Sequence, residues 1–188
     1  MELWDIYDKD KNPTGRTMKR NDWCLKDDEY HLTVLGVVAR PDHTYLITKR
    51  VMTKAWAPGW WEVSGGAAQA GETSEEAVIR EVKEETGLTL TSYKFRGLVT
   101  FISNECEPEL MCVFTADGYT GELTECNEGN LCWVAKDRVL QLPTWEGDRV
   151  FLELLLAEEE RFFSIKLRYE GDKLVDKKIN LYGKINET

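Results

Sequence analysis

"PGWWEVSGGAAQAGETSEEAVIREVKEETGL", residues 58–88, decides how the chain is read. The stretch carries seven glutamates, and three of them, Glu81, Glu84 and Glu85, fall within five residues. The residues from Thr73 onward have the marks of a helix. Thr73 can cap the helix while Glu76, three residues on, reaches back to the cap backbone. Val78 and Val82 are four apart, with Ala77 beside them, and form an inward stripe. Gly87 suits the left-handed residue that ends a helix. These signals predict a helix over residues 74–86. Glu81, Glu84 and Glu85 then share one face. Two unit charges ~5 Å apart repel by roughly 1 kcal/mol in water and about 3 kcal/mol near a protein surface. Something must offset that repulsion. Solvent and neighbouring bases are one answer: Arg80 can reach Glu76 or Glu84, but Glu81 has no basic residue at its i±4 positions. A hard divalent cation is the other, because clustered carboxylate oxygens suit Mg²⁺ or Mn²⁺.

The rest of the composition narrows the function classes. The chain has 188 residues, 42% of them hydrophobic, enough for one domain with a buried core. The net charge of -10 and the sequence pI of about 4.8 argue against nucleic acid as partner. They leave room for an anionic small molecule, since bound cations reverse the local field. Cys24, Cys106, Cys112, Cys126 and Cys132 are odd in number and lack C-x-x-C spacing, so buried, reduced thiols in a cytoplasmic protein are expected. The opening "MELWDIYDKD" has no signal-peptide pattern, and no apolar run is long enough to span a membrane.

From Gly66 the chain reads G-x5-E-x7-R-E-U-x-E-E-x-G-U at every fixed place, with U an apolar aliphatic. This resembles the signature of the Nudix superfamily. The flanking "LITKR", "PGWWEVSGG" and "NEGNLCWV" extend a looser likeness over roughly residues 30–145. The resemblance implies an α/β fold, a mixed β-sheet sandwiched between helices. It implies hydrolysis of a nucleoside diphosphate linked to another moiety, by water attack on phosphorus. Glu81, Glu84 and Glu85 would hold Mg²⁺ or Mn²⁺, and the carbonyl of Gly65 would add a ligand. Arg80 would orient the glutamates, and Glu72 would brace the loop or contact metal-bound water. The catalytic base is a signature glutamate in some members and a glutamate on a downstream loop in others; here Glu128 is favoured.

Other residues carry weaker signals. Lys49 and Arg50 end a strand and could contact phosphate, or could simply be exposed bases. Trp56, Trp60 and Trp61 could stack on a base, with Trp61 the candidate, or belong to the core. The start "ELWDIYDKDKNPTGRTMKR" resembles Nudix proteins near isopentenyl-diphosphate isomerase, but "PGWWEVSGG" lacks that enzyme's cysteine and the chain has only His31 and His43. A non-catalytic nucleotide-binding regulator is the remaining alternative, disfavoured by the intact signature. Along the chain we expect one domain over 1–188: an N-terminal hairpin (1–24), a core (25–145), and a C-terminal helix and hairpin (146–188). The hairpin edges suggest a homodimer.

Overall fold

The strand "YHLTVLGVV" is apolar almost throughout, the pattern of a strand covered on both faces. It becomes β3 (Tyr30–Val38), and the other elements are arranged around it. Before it come β1 (Trp4–Tyr7) and β2 (Pro13–Met18). After it come β4 (Thr44–Arg50), β5 (Trp61–Glu62), β6 (Ser64–Ala67) and α1 (Ser74–Thr86). Next are β7 (Thr89–Ser103), β8 (Glu109–Thr120), β9 (Gly129–Ala135), α2 (Lys136–Val139) and α3 (Glu146–Leu156). The chain closes with β10 (Arg161–Glu170) and β11 (Lys173–Lys184). The computed structural model describes residues 2–53, 57–126 and 129–184. Trp56 and Glu128 therefore lie outside the described residues.

The larger sheet runs β11-β10-β7-β8-β3-β1-β2, with β6 also on β3, and a smaller sheet runs β5-β4-β9. One edge of β3 pairs with β8 in parallel. The other edge is shared end to end: β1 pairs with Tyr30 and His31, and β6 pairs with residues 33–36. Side chains alternate across β3. Val34 faces a core with Val78 and Val82 of α1, whereas Val37 faces a core with Phe151 and Leu155 of α3. The sheet is thus covered by α1 on one face and α3 on the other, the expected mixed α/β arrangement.

α1 spans the predicted residues, because its end signals are local. The Thr73 hydroxyl accepts from the Glu76 amide at 3.2 Å, and the Glu76 carboxylate accepts from the Thr73 amide at 2.9 Å. Gly87 closes the helix at φ 84°. Two sequence expectations need correction, on the cysteines and on Glu76. The two hairpins form as expected and extend the main sheet at either end. β10 pairs with β7 in parallel and buries Phe163, Ile165, Leu167 and Tyr169. The cysteines form no disulfide, but only Cys112 is buried; Cys24, in the loop between β2 and β3, is exposed. Glu76 does not pair with Arg80, because the capping box uses its carboxylate. Among the described residues no helix is long and apolar enough to cross a membrane.

Gly36 sets how closely α1 lies on β3. A Cβ there would stand 2.6 Å from Val82 Cγ2 and 3.2 Å from Val78 Cγ2. Both valines are fully buried and cannot move aside cheaply. Gly36→Ala should therefore lower the unfolding free energy by about 1–3 kcal/mol, the usual range for overpacking. Urea unfolding checks this; an unchanged midpoint would refute the close approach.

Candidate active site

The site is built where β6 runs into α1. Val34 and Leu35 of β3 pair with Gly66 and Gly65 of β6. A side chain on either glycine would collide: a Cβ on Gly65 would fall 2.1 Å from the Val34 carbonyl, and one on Gly66 would fall 2.6 Å from the Glu81 carboxyl carbon. The missing side chain of Gly66 lets the Glu81 carboxylate lie directly on the strand, and that of Gly65 lets β6 lie close against β3. The Gly65 amide donates to Glu85 Oε2 at 3.3 Å.

Arg80 links the loop to the helix. Its Nε and Nη2 donate to the two oxygens of Glu72 at 2.7 and 2.8 Å, a fork-to-fork pair. Nη1 donates to Glu81 Oε1 at 2.8 Å and to Glu84 Oε2 at 3.3 Å, and Nη2 also donates to the Ala67 carbonyl at 3.1 Å. Glu81 therefore does have a basic partner, its own neighbour in sequence, which i±4 spacing does not reveal. Glu72 also accepts from the Gln69 amide at 2.8 Å, which ties the loop to the same arginine.

The charges are not equivalent. Hydrogen bonding to Arg80 holds the Glu72 carboxyl below its usual range. Burial raises Glu81, with Arg80 opposing. Burial, then the charges of Glu81 and Glu62, push Glu85 up to about 8. Glu84 is the exposed member, its side chain 62% accessible. Among the described residues, no three His, Cys, Asp or Glu side chains converge tightly enough to cage a metal ion as they stand. The donor set nevertheless suits a hard divalent cation: Glu81 and Glu85 are carboxylates brought together in a partly buried place, Glu81 against Gly66 and Glu85 accepting from the Gly65 amide.

The other sequence candidates fall around this centre. Arg50 donates through Nη1 to both oxygens of Glu62 at 2.8 Å, and Glu62 is the second acid, after Glu81, whose charge reaches Glu85. Lys49 is exposed, with Nζ 5.7 Å from the Trp61 ring centre, opposite Trp61 in the β4–β5 pairing. Gly129, the residue after Glu128, pairs with Arg50. His31 is buried, stacked on Trp4 at 4.7 Å, and burial pushes it down to about 4, so it is neutral at neutral pH.

Sequence reasoning missed Asp148. It lies in the first turn of α3 and lines a narrow crevice with Trp61, Glu62, Thr144 and Phe151. Burial, then the charges of Glu62 and Glu109, push its carboxyl up to about 7. A signal was present: Asp148 stands three, four and seven residues before Phe151, Leu152 and Leu155, an acid on the apolar face of its helix.

A β-sheet clad by two helices, with a carboxylate-rich helix laid on a glycine strand, forms an acidic site. The comparisons identify the family that shares this fold. The NUDIX domain family model matches residues 29–155. The uncharacterized Nudix hydrolase YvcI of Bacillus subtilis is 35% identical over 103 residues, 52% of this chain and 65% of that protein, short of two-thirds of its length. The oxidized purine nucleoside triphosphate hydrolase of Danio rerio is 31% identical over 151 residues, 79% of this chain and 94% of that protein. The crystal structure of a MutT protein from Bacillus halodurans superposes with a TM-score of 0.71 at 28% identity, covering 79% of this chain and 97% of that one. The chain belongs to the Nudix family, and its relatives are named as Nudix hydrolases and as nucleoside triphosphate hydrolases.

Asp148 generates a pH prediction. Its folded pKa lies above its unfolded value of about 4, so the stability it contributes is complete below pH ~4 and is lost as pH rises through about 7. Asp148→Asn, which is neutral at all pH, should gain on the order of 2 kcal/mol over wild type at pH 8 and nothing at pH 4. Thermal unfolding at both pH values measures this. Equal gains at both would show that charge is not the cause.

Proposed function

We propose that this chain hydrolyses a phosphoanhydride in a nucleotide, by water attack on phosphorus, with Mg²⁺ or Mn²⁺ held by Glu81, Glu84 and Glu85 and by the Gly65 carbonyl. The observation that carries this reading is the contact of Glu81 and Glu85 with the Gly65–Gly66 strand, with Arg80 fastening Glu72, Glu81 and Glu84 from the other side. When bound, the cation supplies charge shielding for the diphosphate and acidity to water. Arg80 keeps Glu81 aimed while it exchanges a partner. Lys49 offers its exposed ammonium to phosphate, and Arg50 acts beside it while held by Glu62. Trp61 presents its ring to the organic part of the substrate. Glu128 is assigned as the proton acceptor from its place in the sequence.

The name of the Danio rerio relative makes purine nucleoside triphosphates, oxidized ones included, the first substrates to try. Glu81→Gln, Glu84→Gln and Glu85→Gln should each cut turnover by orders of magnitude with the fold retained, because glutamine keeps the shape and removes the charge that binds a hard cation. Hydrolysis in ¹⁸O-labelled water should place label in a phosphate product. Full activity in EDTA, label on carbon, or double-bond migration without hydrolysis would reject the reaction.

The sheet ends in β2 on one side and β11 on the other. Val175, Ile179 and Tyr182 of β11 are exposed, and we assign this chain a homodimeric state on that basis. Light scattering should give twice the 21.7 kDa chain mass. A monomer at micromolar concentration would overturn the assignment.

A further inference from the structure

The N-terminal strand lies outside the stretch that the family model matches, which begins at residue 29. It is nevertheless joined to the signature loop. β1 and β6 lie end to end along one edge of β3, so the chain leaving β6 runs directly against β1. Ala67, the last residue of β6, is buried with Trp4, Ile6 and Met18 of the hairpin. Two amides of the loop then find acceptors on β1 and on the residue just before it. The Ala70 amide donates to the Leu3 carbonyl at 2.7 Å. The Gly71 amide donates to Asp5 Oδ2, also at 2.7 Å, across 66 residues of sequence. Gly71 holds φ 84°, so the loop turns in a conformation that other residues resist. Glu72, the acid gripped by Arg80, is the next residue.

We propose that Asp5 is a positioning residue for the hydrolytic site: its carboxylate fixes Gly71, and through Glu72 and Arg80 it sets the place of Glu81 and Glu84. The path is continuous and consists of charge-assisted contacts, each at 2.7–2.8 Å up to Glu81. Removing the Asp5 acceptor leaves the Gly71 amide to water and lets the loop shift. A shift of the loop moves Glu72, and Arg80 follows it because its Nε–Nη2 edge is held by both oxygens of that carboxylate. Outer partners of this kind usually change metal affinity or activity by 10–100-fold. The inference rests on the metal-site reading above.

The test compares Asp5→Ala with Asp5→Asn, whose amide oxygen can still accept from Gly71. Three quantities are read: Mn²⁺ binding by calorimetry, kcat and KM on a nucleoside triphosphate, and hydrogen exchange of the Ala70 and Gly71 amides. Asp5→Ala should weaken Mn²⁺ binding and lower kcat about tenfold, with KM changed far less. Exchange at Gly71 should accelerate, and Asp5→Asn should recover most of each loss. Wild-type Mn²⁺ binding and kcat in Asp5→Ala would overturn the proposal. So would equal losses in both variants that track only the folded fraction. Should Asp5→Ala fail to fold, the wild-type Gly71 amide still decides: exchange as fast as in an open loop refutes the bond. If Glu81→Gln keeps full activity, the site reading fails; if it is inactive while Asp5→Ala is normal, only this inference fails.

Discussion

The Arg80 guanidinium is the interaction on which the site depends. Alone it reaches the loop through Glu72, the end of β6 through the Ala67 carbonyl, and the helix through Glu81 and Glu84. Without it, Glu72, Glu81 and Glu84 would face one another with no compensating charge, and Glu85 would add a fourth acid nearby. Lysine could not replace it, because a point charge on a flexible stem cannot hold two oxygens of one carboxylate and two further carboxylates at fixed angles. The bond is strong because the group is largely buried, its side chain 19% exposed, and all of its partners are in place. A partly satisfied version would be worse than none, since an uncompensated buried charge is costly.

Glycine sets the distances over which that clasp works. Gly36 lets the helix settle on β3, Gly65 lets β6 lie close against β3, and Gly66 lets the Glu81 carboxylate settle on β6. The three glycines act together: Gly36 brings Val78 and Val82 inward, and this lowers Glu81 onto the strand. The resulting field is acidic and continuous. Glu85 feels Glu62, Glu62 is held by Arg50, and Asp148 feels both Glu62 and Glu109. Acids this close and this buried favour their neutral forms unless a cation is added. That is the electrostatic reason the proposed function places a divalent ion among these acids.

The hairpins change the view of the domain. Their sequences look like separate additions because each is a self-contained strand–turn–strand. In the fold they extend the central sheet, β1 against β3 and β10 against β7. Phe163 fills the space above Gly97, where a Cβ would fall 2.1 Å from its ring. The Tyr169 hydroxyl accepts from the Gly147 amide at 2.7 Å and so anchors the start of α3. α3 carries Asp148, so the C-terminal hairpin helps set one wall of the crevice. At the other flank, β1 holds the loop in front of the glutamate helix.

What the sequence by itself determined are features whose causes lie within a few residues. The bounds of α1 follow from a capping box of span three and a left-handed glycine. The shared face of Glu81, Glu84 and Glu85 follows from helical spacing, and the match to the family signature rests on that same short stretch. The pairing of Arg80 with Glu72 and Glu81 was beyond that reading, because it depends on how the loop folds back over the helix. Tertiary structure alone brought Asp148 to Glu62 across 86 positions, and Asp5 to Gly71 across 66. It alone placed β10 in parallel beside β7. Strand order is a choice among long-range pairings whose closure entropy and packing no local pattern encodes. Local chemistry therefore identifies the helix and its family, and the long-range sheet decides which distant acids stand around it.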